Sequence, residues 1–201
     1  MGKMLRVMLC VVLPLTIIGC GGGQTKVARV DSSSTMDLSG RWNDTDSRLV
    51  SEEMIKDALS QRWLLRLEAA GTVPTVIVGR VVNKSHEHIS VETFTKDIER
   101  ALLNSGSVRF VASRNEREQI RMERDEQEMY ASEETMKEHG EEIGADFMLI
   151  GSINTIVDRE GKRSVIFYQV NMELVEVRTN AKVWMGEKKI KKYVERAAAK
   201  I

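Results

Sequence analysis

Val76-Ile77-Val78-Gly79-Arg80-Val81-Val82 follows Pro74 as a β-branched, almost wholly apolar run. That composition predicts a strand buried on both faces, in the middle of a sheet. Working outward, Ser90 is placed to cap a helix whose Val91, Phe94, Ile98, Ala101 and Leu102 share one stripe before Gly106 ends it. Val108-Arg109-Phe110-Val111 reads as the next strand, so residues 75 to 112 form a strand-helix-strand unit with a parallel strand pair.

Further along, the period changes to two. Phe147-Met148-Leu149-Ile150 opens a strand, Gly161 marks a turn, and Ile166, Tyr168, Val170, Met172 and Leu174 alternate along a second strand. The opposite face of that strand carries Gln169, Asn171 and Glu173, which predicts one face packed on helices and the other partly wet. Arg178-Thr179-Asn180-Ala181 turns into a third strand around Val183-Trp184-Met185, and the chain leaves through Lys188-Lys189-Ile190-Lys191-Lys192, a lysine run suited to guarding an exposed edge. Ahead of the first strand, Asp46 or Ser47 is expected to cap a helix in which Ile55, Leu59, Trp63 and Leu67 recur every four residues until Gly71. The expected fold is α+β or α/β: one mixed sheet, made of the strand-helix-strand unit and a three-stranded antiparallel meander, packed by helices.

Residues 113 to 142 hold eleven acids against five bases. Only Ile120, Met122, Met129, Tyr130 and Met136 offer apolar surface, which predicts a solvated helix or helix pair rather than a dedicated binding helix.

The first nineteen residues have the layout of an address. Lys3 and Arg6 precede an apolar run from Val7 to Ile18, and about twelve residues are too few for a bilayer core that needs roughly 20. Ile17-Ile18-Gly19-Cys20 resembles the bacterial lipobox, which would make Cys20 the acylated first residue of the mature chain. Gly21 in place of an aspartate then favours the outer membrane. Removing residues 1 to 19 leaves 28 basic against 30 acidic residues. That balance excludes a nucleic-acid footprint, which needs a basic domain. With Cys10 in the signal and Cys20 lipidated, no disulfide is available. Residues 20 to 45 read as a lipidated cysteine and flexible tether, and residues 46 to 201 as a single globular domain.

No catalytic or cofactor constellation emerges. His86 and His88 sit in a polar loop, and the only other histidine, His139, lies in the acidic segment, so no third zinc ligand is placed beside them. Gly21-Gly22-Gly23 follows no strand and opens no helix, which makes it a linker. A lipidated, tethered and chemically quiet domain is explained most simply as a binding module held at a membrane surface. Candidate partner contacts are Trp42, either an anchor or a residue folded back on the domain; Arg159, Lys162 and Arg163 at a turn; and Gln169 and Asn171 on the wet strand face.

Three stretches carry a family resemblance. Asp37-Leu38-Ser39-Gly40-Arg41-Trp42-Asn43-Asp44-Thr45-Asp46-Ser47, Asn83-Lys84-Ser85 with His88-Ile89, and Gly144-Ala145-Asp146 leading to Leu149-Ile150-Gly151-Ser152-Ile153 resemble the LpoB family of outer-membrane lipoprotein activators of class A penicillin-binding proteins. The order of elements also resembles the amino-terminal domain of TolB. The resemblance implies a periplasmic domain that docks on a noncatalytic regulatory domain of a bifunctional peptidoglycan synthase, with no cofactor. The alternative is an envelope scaffold or secretion component related to the curli-assembly lipoproteins, which form pores. Pores need membrane-crossing strands of about 9 to 11 residues, and no surplus strands are expected here.

Overall fold

Strand β1 (Thr75–Lys84) lies inside a five-stranded sheet whose order is β2-β1-β3-β4-β5. The computed structural model describes residues 26–135 and 140–196. Cys20, the apolar leader, Gly21-Gly22-Gly23 and His139 lie outside the described residues. The chain divides into residues 1–32 and a larger unit beginning at Ser33, which is described here.

Val76, Ile77 and Val78 are all buried, the pattern of a strand covered on both sides. β1 pairs in parallel with β2 (Arg109–Phe110) through Thr75↔Arg109 and Val76↔Phe110, and in parallel with β3 (Phe147–Glu160) on its other side. Between Val78 and Val81 the register slips by a bulge. A Cβ on Gly79 would stand 2.9 Å from Ile150 Cγ2 and from Met148 Cγ, so any larger residue at the bulge would have to displace those side chains. β4 (Arg163–Glu176) and β5 (Lys182–Glu195) complete an antiparallel meander. All three meander strands run 14 residues, longer than their apolar stretches suggested.

The helices lie on one face. Helix α3 (Val91–Ser105) starts at Ser90, whose side chain accepts from the Thr93 amide, and ends at Gly106 in the left-handed region, as expected. Its Phe94 and Ile98 are fully buried in the same core as Tyr168, Val170 and Met172 of β4, where alternate residues point inward. The expected long first helix is two helices, α1 (Asp44–Leu59) and α2 (Arg62–Ala69). Ile55, Leu59, Trp63 and Leu67 keep their spacing of four, but Gln61 is extended and breaks the rod. The Trp63 indole N–H donates at 2.7 Å to the Ala58 carbonyl, near the end of α1, which also accepts from the Gln61 amide at 3.4 Å. The cap of α1 is Asn43, not Asp46 or Ser47. Asn43 Oδ1 accepts from the Asp46 amide and Asp46 Oδ2 from the Asn43 amide, both at 3.0 Å, a reciprocal capping box. Helix α4 (Arg114–Tyr130) buries none of its residues and is tied to α3 by Lys96–Glu116 at 2.8 Å. Among the described residues no helix is long and apolar enough to cross a membrane.

Candidate partner-docking surface

Because α1, α2 and α3 cover one face of the sheet, the other face stays open among the described residues, and side-chain alternation decides what it shows. Even-numbered residues of β4 enter the core, so Phe167, Gln169, Asn171 and Glu173 face outward and stay half-buried. The register sets Lys189 opposite Gln169 and Lys191 opposite Phe167, and carries Met185, Glu187, Lys189 and Lys191 of β5 onto the same surface. On β3 it shows Met148, Ile150, Ser152, Asn154 and Ile156. A groove of about 330 Å³ runs across it, lined by Arg80, Val82, Lys84, Ile150, Asn171 and Glu173, among others.

The expected candidates fall in three separate places. Gln169 and Asn171 lie on this open face, where Gln169 Nε2 donates to Glu187 Oε2 at 2.6 Å and to Asn171 Oδ1 at 3.3 Å. Arg159, Lys162 and Arg163 sit at the exposed tip of the β3–β4 hairpin, beyond the core, with Arg163 3.6 Å from Glu195. Trp42 is on the helix side, folded against the core with its ring edge-on to Phe94 (centroids 5.9 Å apart) and Tyr168 (5.6 Å). Arg80, Lys84 and Lys191 share the open face and were not singled out from sequence. Continuing the alternation of β4 into β5 would have found Lys191.

Trp42 belongs to a strap, residues 36–43, that sequence composition had assigned to the tether. The strap is held at two points. Its Trp42 amide donates to Glu87 Oε2 at 3.1 Å, and the Tyr168 hydroxyl donates to Glu87 Oε1 at 2.8 Å, with the Gly40 carbonyl 3.4 Å away. Burial first, then the adjacent Glu87 carboxylate, raise the Tyr168 phenol well above its ordinary value. At the second point Lys192 Nζ donates to Asp46 Oδ2 (2.6 Å), Asp37 Oδ1 (2.7 Å) and the Arg41 carbonyl (3.1 Å). Burial acts to lower the Lys192 ammonium's pKa, and the two carboxylates outweigh it and raise it. Lys192 is therefore an internal clamp, and Lys188 is bound to Glu53 of α1, so the lysine run of edge strand β5 does more than guard that edge. Gly40 adopts φ 70°, and a Cβ there would meet Val194 Cγ2 at 2.2 Å. Two of the stretches that carry the resemblance, 37–47 and 83–89, thus meet at Glu87.

The third, Gly144-Ala145-Asp146, is at the opposite end of the sheet. Asp146 Oδ2 accepts from the Thr75 amide and the Asp146 amide donates to the Thr75 carbonyl, both at 2.8 Å, which locks the start of β3 to β1. His86 Nδ1 lies 3.0 Å from Thr155 Oγ1, a hydrogen bond between loop and sheet.

A family model described as peptidoglycan-synthase activator LpoB matches residues 46–190. The chain belongs to the LpoB family. The LpoB match runs from α1 through most of β5, so it takes in the strands of the open face and leaves out the strap and Lys192. Among solved structures, the LpoB C-terminal domains from Salmonella enterica (TM-score 0.44) and Escherichia coli (TM-score 0.45) are each 17% identical over 72% of this chain and 98% of theirs. The lipoprotein GNA1162 from Neisseria meningitidis is 12% identical over 63% of this chain and 88% of its own, with a TM-score of 0.41. A sequence search of curated proteins finds no match.

Proposed function

We propose that this chain is an outer-membrane lipoprotein, anchored through Cys20, whose globular unit binds a class A penicillin-binding protein in the periplasm and raises its peptidoglycan synthesis while catalysing nothing itself. The observation that carries the reading is the LpoB family match over residues 46–190. Ile17-Ile18-Gly19-Cys20 followed by Gly21 supports the anchor. An activator needs no catalytic group, only a preference for the synthase's active conformation, and its greatest effect equals its difference in affinity for the two states. With the strap docked on the domain, the span from Cys20 to the globular unit is residues 21–35, which reaches at most about 50 Å.

The test is affinity capture. Residues 21–201, immobilised and exposed to detergent-solubilised envelopes, should retain a class A penicillin-binding protein detectable by a labelled penicillin. Retention of other envelope proteins and no class A enzyme overturns the reading. For the anchor, Cys20→Ala should leave precursor or a soluble form, and mature protein still in the outer membrane would refute it.

A further inference from the structure

We infer that the strap, residues 36–43, is a releasable section of the tether: under tension it leaves its seat and lengthens the reach of the domain. Its role in the cell rests on the anchored-activator reading above, while the release itself is a property of the folded chain.

The strap lies in series between Cys20 and α1, so a pull between the anchor and a bound partner reaches the strap before the core. It is lightly seated there. Met36 is 47% and Leu38 90% exposed, Ser39 and Arg41 are exposed too, and the Trp42 ring is the strap's main apolar hold.

Each polar group of the domain that grips the strap keeps another partner when the strap leaves. Glu87 gives up the Trp42 amide but still accepts from the Tyr168 hydroxyl at 2.8 Å. Lys192 gives up Asp37 and the Arg41 carbonyl but still donates to Asp46 Oδ2 of α1 at 2.6 Å. Asn43 loses Asp37 and keeps its reciprocal bonds with Asp46, so α1 stays capped. Release therefore strands no buried charge, the loss that makes breaking an ion pair most costly. Phe94 and Tyr168 lose the Trp42 ring, a contact that water does not replace, and that ring sets how firmly the strap is held.

The gain is length. Residues 21–35 span at most about 50 Å and residues 21–42 about 73 Å, so release adds about 23 Å while the helices and the sheet keep their structure. Tension favours the longer of two states that already interconvert.

Native-state hydrogen exchange of residues 21–201, followed by NMR, tests the release. The Trp42 amide, donated to Glu87, should exchange at least about 100-fold faster than the Tyr168 amide of β4, and with less dependence on urea, because it opens without the domain unfolding. Trp42→Ala should speed exchange of that amide further. Oxidised Gly40→Cys/Val194→Cys should slow it: a Cβ on Gly40 lies 3.6 Å from Val194 Cβ, inside the span of about 3.5 to 4.5 Å that a disulfide needs. Residues 21–201 contain no other cysteine. The wild-type comparison decides the matter even if that pair fails to fold. One rate and one urea slope for the residue 42 and residue 168 amides would show that the strap leaves only when the domain unfolds, and would overturn the inference whatever the synthase does. In cells the locked lipoprotein should support less wall synthesis than wild type, and seven residues inserted after Gly23, the length of 36–42, should restore it. Locked protein as active as wild type, or no restoration by the spacer, overturns the role in reach. Purified wild type that activates no class A enzyme overturns the activator reading instead, and leaves the exchange result standing.

Discussion

Replacing Trp42 with alanine asks whether the residues ahead of α1 are tether or fold. A buried Trp removes about 150 to 250 Å² from water, so the half-buried Trp42 accounts for about 100 Å², worth about 2.5 kcal/mol. Its two edge-on contacts, with Phe94 and Tyr168, each worth at least about 0.5 kcal/mol, bring the loss to about 3.5 kcal/mol. The backbone amide that donates to Glu87 is retained by alanine, so the change isolates the ring. For a domain of this size that corresponds to a fall in Tm of about 7 to 14 °C. Thermal unfolding of residues 21–201 followed by circular dichroism measures it. Leu38→Ala, four residues earlier and 90% exposed, should leave Tm unchanged. A Trp42→Ala shift under about 2 °C, within the spread of surface substitutions, would refute the strap and return residues 36–43 to the tether.

Two further outcomes follow from the same packing. Trp63 is 8% exposed, with its ring 5.0 Å from that of Phe147, so Trp63→Ala should cost about 3 to 5 kcal/mol; an unchanged urea midpoint would detach α2 from the core. The Glu116 carboxyl is held down from 4.5 to about 2 by the Lys96 ammonium, then by the Ser113 amide and hydroxyl. A depressed folded pKa gives stability that is full above about pH 4.5 and lost as pH falls toward 2. The NMR shift of the Ser113 amide should therefore titrate near pH 2, and a midpoint near 4.5 would show that the α4 capping box does not hold Glu116.

Local chemistry made most of the fold legible. Val76–Val82 had no polar residue but Arg80 to place in solvent, Ser90 and Gly106 bounded α3, and the alternation from Ile166 to Leu174 settled which side of β4 met the helices. What escaped was decided at long range or by competition between equals. Asn43, Asp46 and Ser47 are all good caps, and the choice of Asn43 followed from its reciprocal bond with Asp46. The break at Gln61 left the apolar spacing of four untouched, so periodicity alone could not reveal it. The polar strap looked like tether because its partners, Glu87, Tyr168 and Lys192, are distant in sequence. The same holds for the candidate surface. Gln169 and Asn171 were visible as the wet side of one strand, but Arg80 and Lys84 joined them only through the parallel pairing of β1 with β3, which no local pattern encodes.

The measurement that bears most directly on the account is glycan-strand synthesis from lipid-linked precursor by the cognate class A penicillin-binding protein, with and without residues 21–201. The account predicts a saturable rise in rate with the synthase present, and no product from the lipoprotein alone. An unchanged rate, at lipoprotein concentrations that saturate binding, would contradict it.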